Sequence, residues 1–143
     1  MRIEETIEIA ASPEVVWSVT EDLERWPEWT PTVTVVTRLD DGRLEVGSAA
    51  RLQQPGLPEA EWVVTAVRPG QLFSWQTRIR GIGMVATHEL EPCGAGTRNL
   101  LRIELSGLVA RTLWPLIRAR LREALRRENA GLKRHCEAIT TAC

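Results

Sequence analysis

The stretch Leu108-Val-Ala-Arg-Thr-Leu-Trp-Pro-Leu-Ile-Arg-Ala-Arg-Leu-Arg-Glu-Ala-Leu-Arg-Arg-Glu-Asn-Ala-Gly-Leu-Lys-Arg-His-Cys-Glu-Ala-Ile139 decides the fold. Leu113, Ile117, Leu121, Ala124, Leu125, Leu132, Cys136 and Ile139 recur at helical spacing, which predicts one long amphipathic helix. Pro115 fits only near its start, where a missing N–H costs no intrahelical bond. Such a helix must bury its apolar stripe against something, and the preceding text says what. From Val33 to Ser106 the chain alternates apolar and polar residues, punctuated by Asp40-Asp41-Gly42, Pro55-Gly56-Leu57-Pro58, Arg68-Pro69-Gly70, Gly81-Ile82-Gly83 and Pro92-Cys93-Gly94-Ala95-Gly96. Connections this short between strands mean an antiparallel meander.

The N-terminus adds a strand, in which Ile3, Ile7 and Ile9 share a face with Glu5, the flaw in the alternation. Ser12-Pro13-Glu14 then opens a short helix to about Thr20: serine caps it, proline suits the first helical position and the acid favours the dipole. Asp22 to Trp26 allows one or two further turns before Pro27. The expected architecture is α+β: a curved antiparallel sheet of about seven strands around a long C-terminal helix, with two short helices after the first strand. With no internal repeat and no low-complexity linker, residues 1–143 read as a single domain.

Composition narrows the classes. The chain is 43% hydrophobic and 26% charged with a net charge of −1, and it has no apolar run near the ~18 residues of a membrane span, which excludes disorder and an integral membrane contact. Six Trp, one Phe and no Tyr remove any mechanism that needs a phenol. Cys93, Cys136 and Cys143, with His88 and His135, lack the close pairs of a zinc site, so no metal and no cofactor is expected. The acidic, alternating N-terminus is unlike a signal peptide, and a cytoplasmic protein with free thiols is the expectation.

Five runs taken together carry a resemblance: Ser12-Pro-Glu-Val-Val-Trp17, Trp26-Pro-Glu-Trp29, Val46-Gly47-Ser48, Thr87-His-Glu-Leu-Glu-Pro92 and Gly96-Thr97-Arg98, followed by a helix ending Leu132-Lys133-Arg134. In their order they resemble the START-like (SRPBCC) superfamily, in its bacterial polyketide cyclase/dehydrase-like branch. The resemblance implies a helix-grip fold whose sheet and C-terminal helix enclose a cavity for hydrophobic small molecules. It does not specify an activity, since the superfamily includes carriers, receptors and cyclases.

Strand alternation proposes the lining of that cavity. Met84, Ala86, His88 and Leu90 oppose Thr87, Glu89 and Glu91; Phe73, Trp75 and Thr77 oppose Ser74, Gln76 and Arg78; Leu101, Ile103 and Leu105 oppose Leu100, Arg102 and Glu104. Trp62, Val64 and Ala66 are set against Val63, Thr65 and Val67, while Leu52 and Gln54 point inward and Trp114, Ile117 and Leu121 face the sheet from the helix. Trp62, Trp75 and Trp114 suit a pocket wall, whereas Trp17 reads as core. Trp26 and Trp29 read as cap or lip of a mouth, near which Leu57 marks an entrance or a plain connection. His88 is the candidate proton carrier, because its ordinary pKa lies near neutrality; the plainer reading, which we favour, is a cavity histidine that only hydrogen-bonds. Gln54, Arg78 or Arg80 would meet a polar ligand group, with solvation the plainer role for both arginines.

Other signals lead away from function. Gly81-Ile-Gly83-Met-Val-Ala86 matches a dinucleotide pattern, but a strand follows it where a helix N-terminus is needed, so it reads as a hairpin. No phosphate loop, zinc-protease helix or nucleophile elbow is present. The terminal helix carries eight basic and three acidic residues between Leu108 and Ile139, a net of +5, read as a solvated face helped by Glu123 and Arg127 at i,i+4. No aromatics interleave with that face, so nucleic acid is not expected.

The resulting order of readings is a binder of a hydrophobic or aromatic small molecule, lipid or polyketide-like, held largely by apolar burial. Next comes a cofactor-independent cyclase or dehydratase using His88, then a partner-binding module. Oligomeric state stays open.

Overall fold

From Ala60 to Ser106, connections of two and three residues leave successive strands no geometry but antiparallel pairing. The chain runs β1 (Arg2–Ile9), α1 (Pro13–Glu21), a 3-10 helix (Leu23–Glu28), β2 (Val35–Arg38), β3 (Ala49–Gln53), β4 (Ala60–Arg68), β5 (Leu72–Ile79), β6 (Ile82–Cys93), β7 (Gly96–Ser106) and α2 (Leu108–Thr141). A computed structural model describes residues 1–141; Cys143 lies outside them. All pairs are antiparallel in the order β1-β7-β6-β5-β4-β3-β2, so the N-terminal strand joins the sheet at the edge beside β7. The turn between β5 and β6 is Arg80-Gly81, with φ of 51° and 80°, the two-residue turn with both residues left-handed whose twist matches a hairpin. The dinucleotide-like pattern is therefore a hairpin.

Three expectations need adjustment. The sheet register shifts between Val64 and Ala66, so Val67, and not Ala66, falls in line with Phe73 on the inward face; a bulge inserts one residue and inverts the alternation beyond it. The helix begins at Leu108, which places Pro115 in its third turn and deprives the carbonyl of Arg111 of an intrahelical donor; both residues are exposed there. Glu5 is no flaw. Its carboxylate meets Arg122 at 3.0 Å and Arg126 at 3.3 Å, so two arginines of the basic face tie α2 to β1 instead of facing water alone. The Arg127–Glu123 pair forms as expected, at 3.2 Å.

Helix α2 packs along β1, β7 and β6, while the 3-10 helix lies on β2 and α1 packs on α2 and β6. Leu125, Leu132 and Cys136 fill the helix–sheet interface, and burial pushes the Cys136 thiol up to about 12, so it acts as a small apolar group. Between them Asn129 donates from Nδ2 to the Glu5 carbonyl at 3.1 Å and accepts from Asn99 Nδ2 at 2.7 Å. The far end of the helix passes close over the backbone at Trp29, where a Cβ at Gly131 would overlap the Trp29 carbonyl oxygen. Gly131→Ala tests that seat. Alanine ordinarily gains about 1 kcal/mol over glycine inside a helix, yet here the overlap with backbone reverses the sign. Urea denaturation is expected to show a net loss of at least about 2 kcal/mol; a variant as stable as wild type would mean that α2 does not close on Trp29.

Candidate ligand-binding site

The inward face of the sheet is read off its pairing register. One row runs Leu101–His88–Phe73–Val67, a second Ile3–Ile103–Ala86–Trp75–Val64, and a third Leu105–Met84–Thr77. Trp62 stands on β4 opposite Ala50, and Leu52 on β3 opposite Val36. Apart from Ala66, the strand residues that alternation assigned to the lining share one face, with Trp114, Ile117 and Leu121 packed against it from α2. Gln54 lies just past β3, where its side-chain amide donates to the Thr32 carbonyl at 3.4 Å. Thr77 donates its hydroxyl to the Glu61 carbonyl at 2.7 Å. Arg78 and Arg80 are exposed at the β5–β6 hairpin, and Leu57 is exposed in the loop after Gln54.

Trp26 and Trp29 are not at the rim. They are 2% and 7% exposed, and Trp26 is the hub of an aromatic cluster. Its ring lies 5.4 Å from Trp75, 5.1 Å from His88, 5.6 Å from Trp29 and 6.3 Å from Phe73. The cause is local: a 3-10 helix repeats every three residues, so Leu23, Trp26 and Trp29 share its inner side. The indole N–H of Trp26 fixes the inward rotamer by donating to the Thr20 carbonyl at 2.9 Å. Trp17 meets Phe73 edge-on at 6.5 Å, consistent with a core role.

His88 sits inside this cluster, stacked on Phe73 with centroids 4.5 Å apart and planes 5° from parallel. It makes no hydrogen bond or ion pair among the described residues. Burial holds its imidazole down at about 3, so it is neutral at physiological pH and carries one N–H donor and one bare nitrogen. The indole N–H groups of Trp29 and Trp62 are likewise buried with no acceptor. Buried donors are normally paired, and three ring systems with free polar atoms around one apolar face are unusual.

Burial is uneven across that face. Among the described residues no helix packs closely along β4 or β5, whose inward side chains meet the Trp26 cluster. Thr77 and Ala86 on the sheet, and Trp114, Ile117, Leu121 and Glu128 on α2, keep accessible surface while their neighbours Trp62, Trp75 and Leu125 are buried. Two grooves lie elsewhere. One of about 460 Å³ is bounded by Pro13, Arg68, Gln71, Glu89 and Pro92, and one of about 310 Å³ by Glu8, Ala10, Cys93, Thr97 and Lys133. Apart from Leu90, which borders the first, neither includes the residues expected to line a cavity. Among the described residues no cluster of His, Cys, Asp and Glu converges as metal ligands, and no helix is long and apolar enough to cross a membrane.

Glu128 escaped the sequence reading, which counted it with the solvated charges. It stands three residues after Leu125 and four before Leu132, on the apolar stripe, and makes no ion pair or hydrogen bond among the described residues. Burial raises its carboxyl to about 7. Helical spacing alone was the available signal, since Leu121, Leu125, Glu128 and Leu132 form one i, i+4, i+7, i+11 series.

Among curated proteins none is significantly similar in sequence. Solved structures share the helix-grip arrangement. TTHA0849 of Thermus thermophilus superposes with a TM-score of 0.77 at 18% identity, over 97% of this chain and 99% of that one. The protein named Ara h 8.0201 does so with a TM-score of 0.77 at 11% identity, over 96% and 98%. The di-domain ARO/CYC StfQ of the steffimycin biosynthetic pathway matches with a TM-score of 0.80 at 13% identity, over 98% of this chain but 51% of its own, so this chain spans about half of that protein. The family model described as "Polyketide cyclase / dehydrase and lipid transport" matches residues 1–137, and the chain belongs to that family.

Proposed function

We propose that the protein binds a hydrophobic or aromatic small molecule in the cleft between the Trp114–Glu128 stretch of α2 and the inward face of β4–β6. The observation that carries this reading is the pattern of exposure. Apolar side chains on both sides, Ala86 below and Trp114, Ile117 and Leu121 above, stay accessible beside buried tryptophans whose ring edges are unpartnered. A flat ligand that covers them and buries about 300 Å² of apolar surface would gain roughly 7 kcal/mol before immobilisation costs. The family description, which includes lipid transport, agrees with this role.

A cyclase or dehydratase is the second reading, and His88 would be its proton carrier. The lack of any protein partner on the imidazole favours contact with a ligand. Its strongly lowered basicity argues against proton transfer, because a general acid or base works best with a pKa near the working pH. His88 therefore fits better as a neutral hydrogen-bonding wall.

N-phenyl-1-naphthylamine, a neutral fluorophore, is expected to bind saturably and to quench tryptophan emission; Ala86→Phe, which fills the cleft beside Trp75, is expected to weaken it at least about tenfold with the fold retained. Absence of binding to wild type, or equal binding by the variant, would overturn the site. The His88 assignment has its own test. A group with a depressed folded pKa stabilises fully above its unfolded value and loses that contribution as pH falls toward the folded one. Between pH 7 and pH 4 wild type should lose roughly 3 kcal/mol more stability than His88→Gln, measured by urea denaturation at each pH. Parallel losses in the two proteins would show that the ring is solvated.

A further inference from the structure

The charged side chains that point toward the core divide into two kinds. Glu5 is paired with Arg122 and Arg126, and Arg38 with Asp40 at 3.1 Å. Glu128 has no partner among the described residues, although it stands on the stripe of α2 that also carries Leu121 and Leu125. One helical turn further on, Gly131 abuts the Trp29 carbonyl, so the segment that carries Trp29 closes on α2 one turn from Glu128. The indole N–H of Trp29 is buried and has no acceptor. An unpaired carboxyl and an unpaired donor are thus left on two segments that meet at Gly131, and the inward-pointing cation Arg38 is already ion-paired with Asp40, its Nε–H alone lacking an acceptor.

We infer that Glu128 is the polar anchor of the cleft: it accepts a hydrogen bond from a hydroxyl on an aromatic ligand and turns away ligands that carry a carboxylate. This rests on the cleft reading above. A hydroxyl answers both unmet groups, since it donates to a carboxylate while its oxygen accepts from an indole N–H. An ammonium has no lone pair for the indole. A fatty acid or other anion would bring a second negative charge into a weakly solvated site where no cation waits for it. Burial keeps the Glu128 carboxyl near 7, so at pH 8 it is largely an acceptor.

The test uses three probes of one size, 2-naphthol, 2-methylnaphthalene and 2-naphthoate, titrated calorimetrically at pH 8 into wild type, Glu128→Gln and Glu128→Leu. Wild type is expected to bind the naphthol about tenfold more tightly than the methyl compound, as a hydrogen bond to a charged group allows, and the naphthoate most weakly. Glu128→Leu should erase the preference for naphthol and raise affinity for naphthoate toward that for 2-methylnaphthalene. Glu128→Gln, which keeps an acceptor oxygen but no charge, should retain part of the naphthol preference while admitting naphthoate. If Glu128→Leu keeps the wild-type ratios, or if wild type binds all three probes equally, the anchor is overturned and the cleft stands. If wild type binds none of them, the cleft reading falls together with the anchor.

Discussion

The Asn99–Asn129–Glu5 chain sets how the long helix lies on the sheet. Leu125, Leu132 and Cys136 are buried between α2 and the sheet, but apolar contact is tolerant of small rotations and slides. A buried amide is not tolerant, because every donor or acceptor left without a partner costs on the order of 1–3 kcal/mol. Asn129 is 3% exposed and bonds Asn99 on β7 and the Glu5 backbone on β1 at once, which fixes both the height and the rotation of the helix. Arg122 and Arg126 reinforce the same attachment from the partly exposed side. With Asn129 turned toward β1, Leu121 and Glu128 are turned away from it, toward the β4–β5 side. The composition of the cleft wall is therefore a consequence of a hydrogen bond on the opposite flank.

The same attachment explains why the two halves of the interior differ. Over β1, β7 and β6 the helix backbone is close and its side chains interlock with the strands. Over β4 and β5 the helix stands off, and the space is taken up by large rings: Trp26 from the 3-10 helix, then Trp75, Trp62 and Phe73 from the sheet. Rings this size pack by edge and face with centroids 5–7 Å apart and leave irregular gaps that aliphatic side chains would close. Accessible surface at Thr77, Ile117 and Leu121, and at Ala86 on the neighbouring β6, accompanies this packing.

Period-two and period-three-to-four patterns were legible in the chain and so was most of the fold. The inward rows of β5, β6 and β7, the N-cap at Ser12 and the tight β5–β6 turn all follow from local chemistry that neighbouring elements do not alter. What escaped was governed by partners distant in sequence. Nothing local shows that Glu5 will find two arginines more than a hundred residues away, or that a bulge will move Val67 in and Ala66 out. Trp26 and Trp29 were misplaced for a different reason. Proline at 27 suggested an ending, whereas a 3-10 helix accommodates it and brings both indoles inward with a period of three. Glu128 was hidden by composition, since a glutamate in an Arg-rich helix looks solvated until its place in the Leu121–Leu132 stripe is counted.

Polar satisfaction follows the same division as packing. On the β1–β7 side the carboxylate, both arginines and the Asn129 amide find partners, and the buried orphan there is a single amide oxygen of Asn99. Away from it, among the described residues, the indole N–H groups of Trp29 and Trp62 and the Nε of Arg38 are buried without a partner, and the imidazole of His88 and the carboxyl of Glu128 make no hydrogen bond or ion pair. Such groups lower stability, and a leucine at 128 or a phenylalanine at 62 would remove the cost without any change of fold. Stability is therefore concentrated where α2 is attached, while unmet hydrogen-bonding capacity is concentrated where it stands off. Groups of this kind gain their partners only when something else enters, and the side that folding leaves incomplete is the side on which a bound molecule can contribute most.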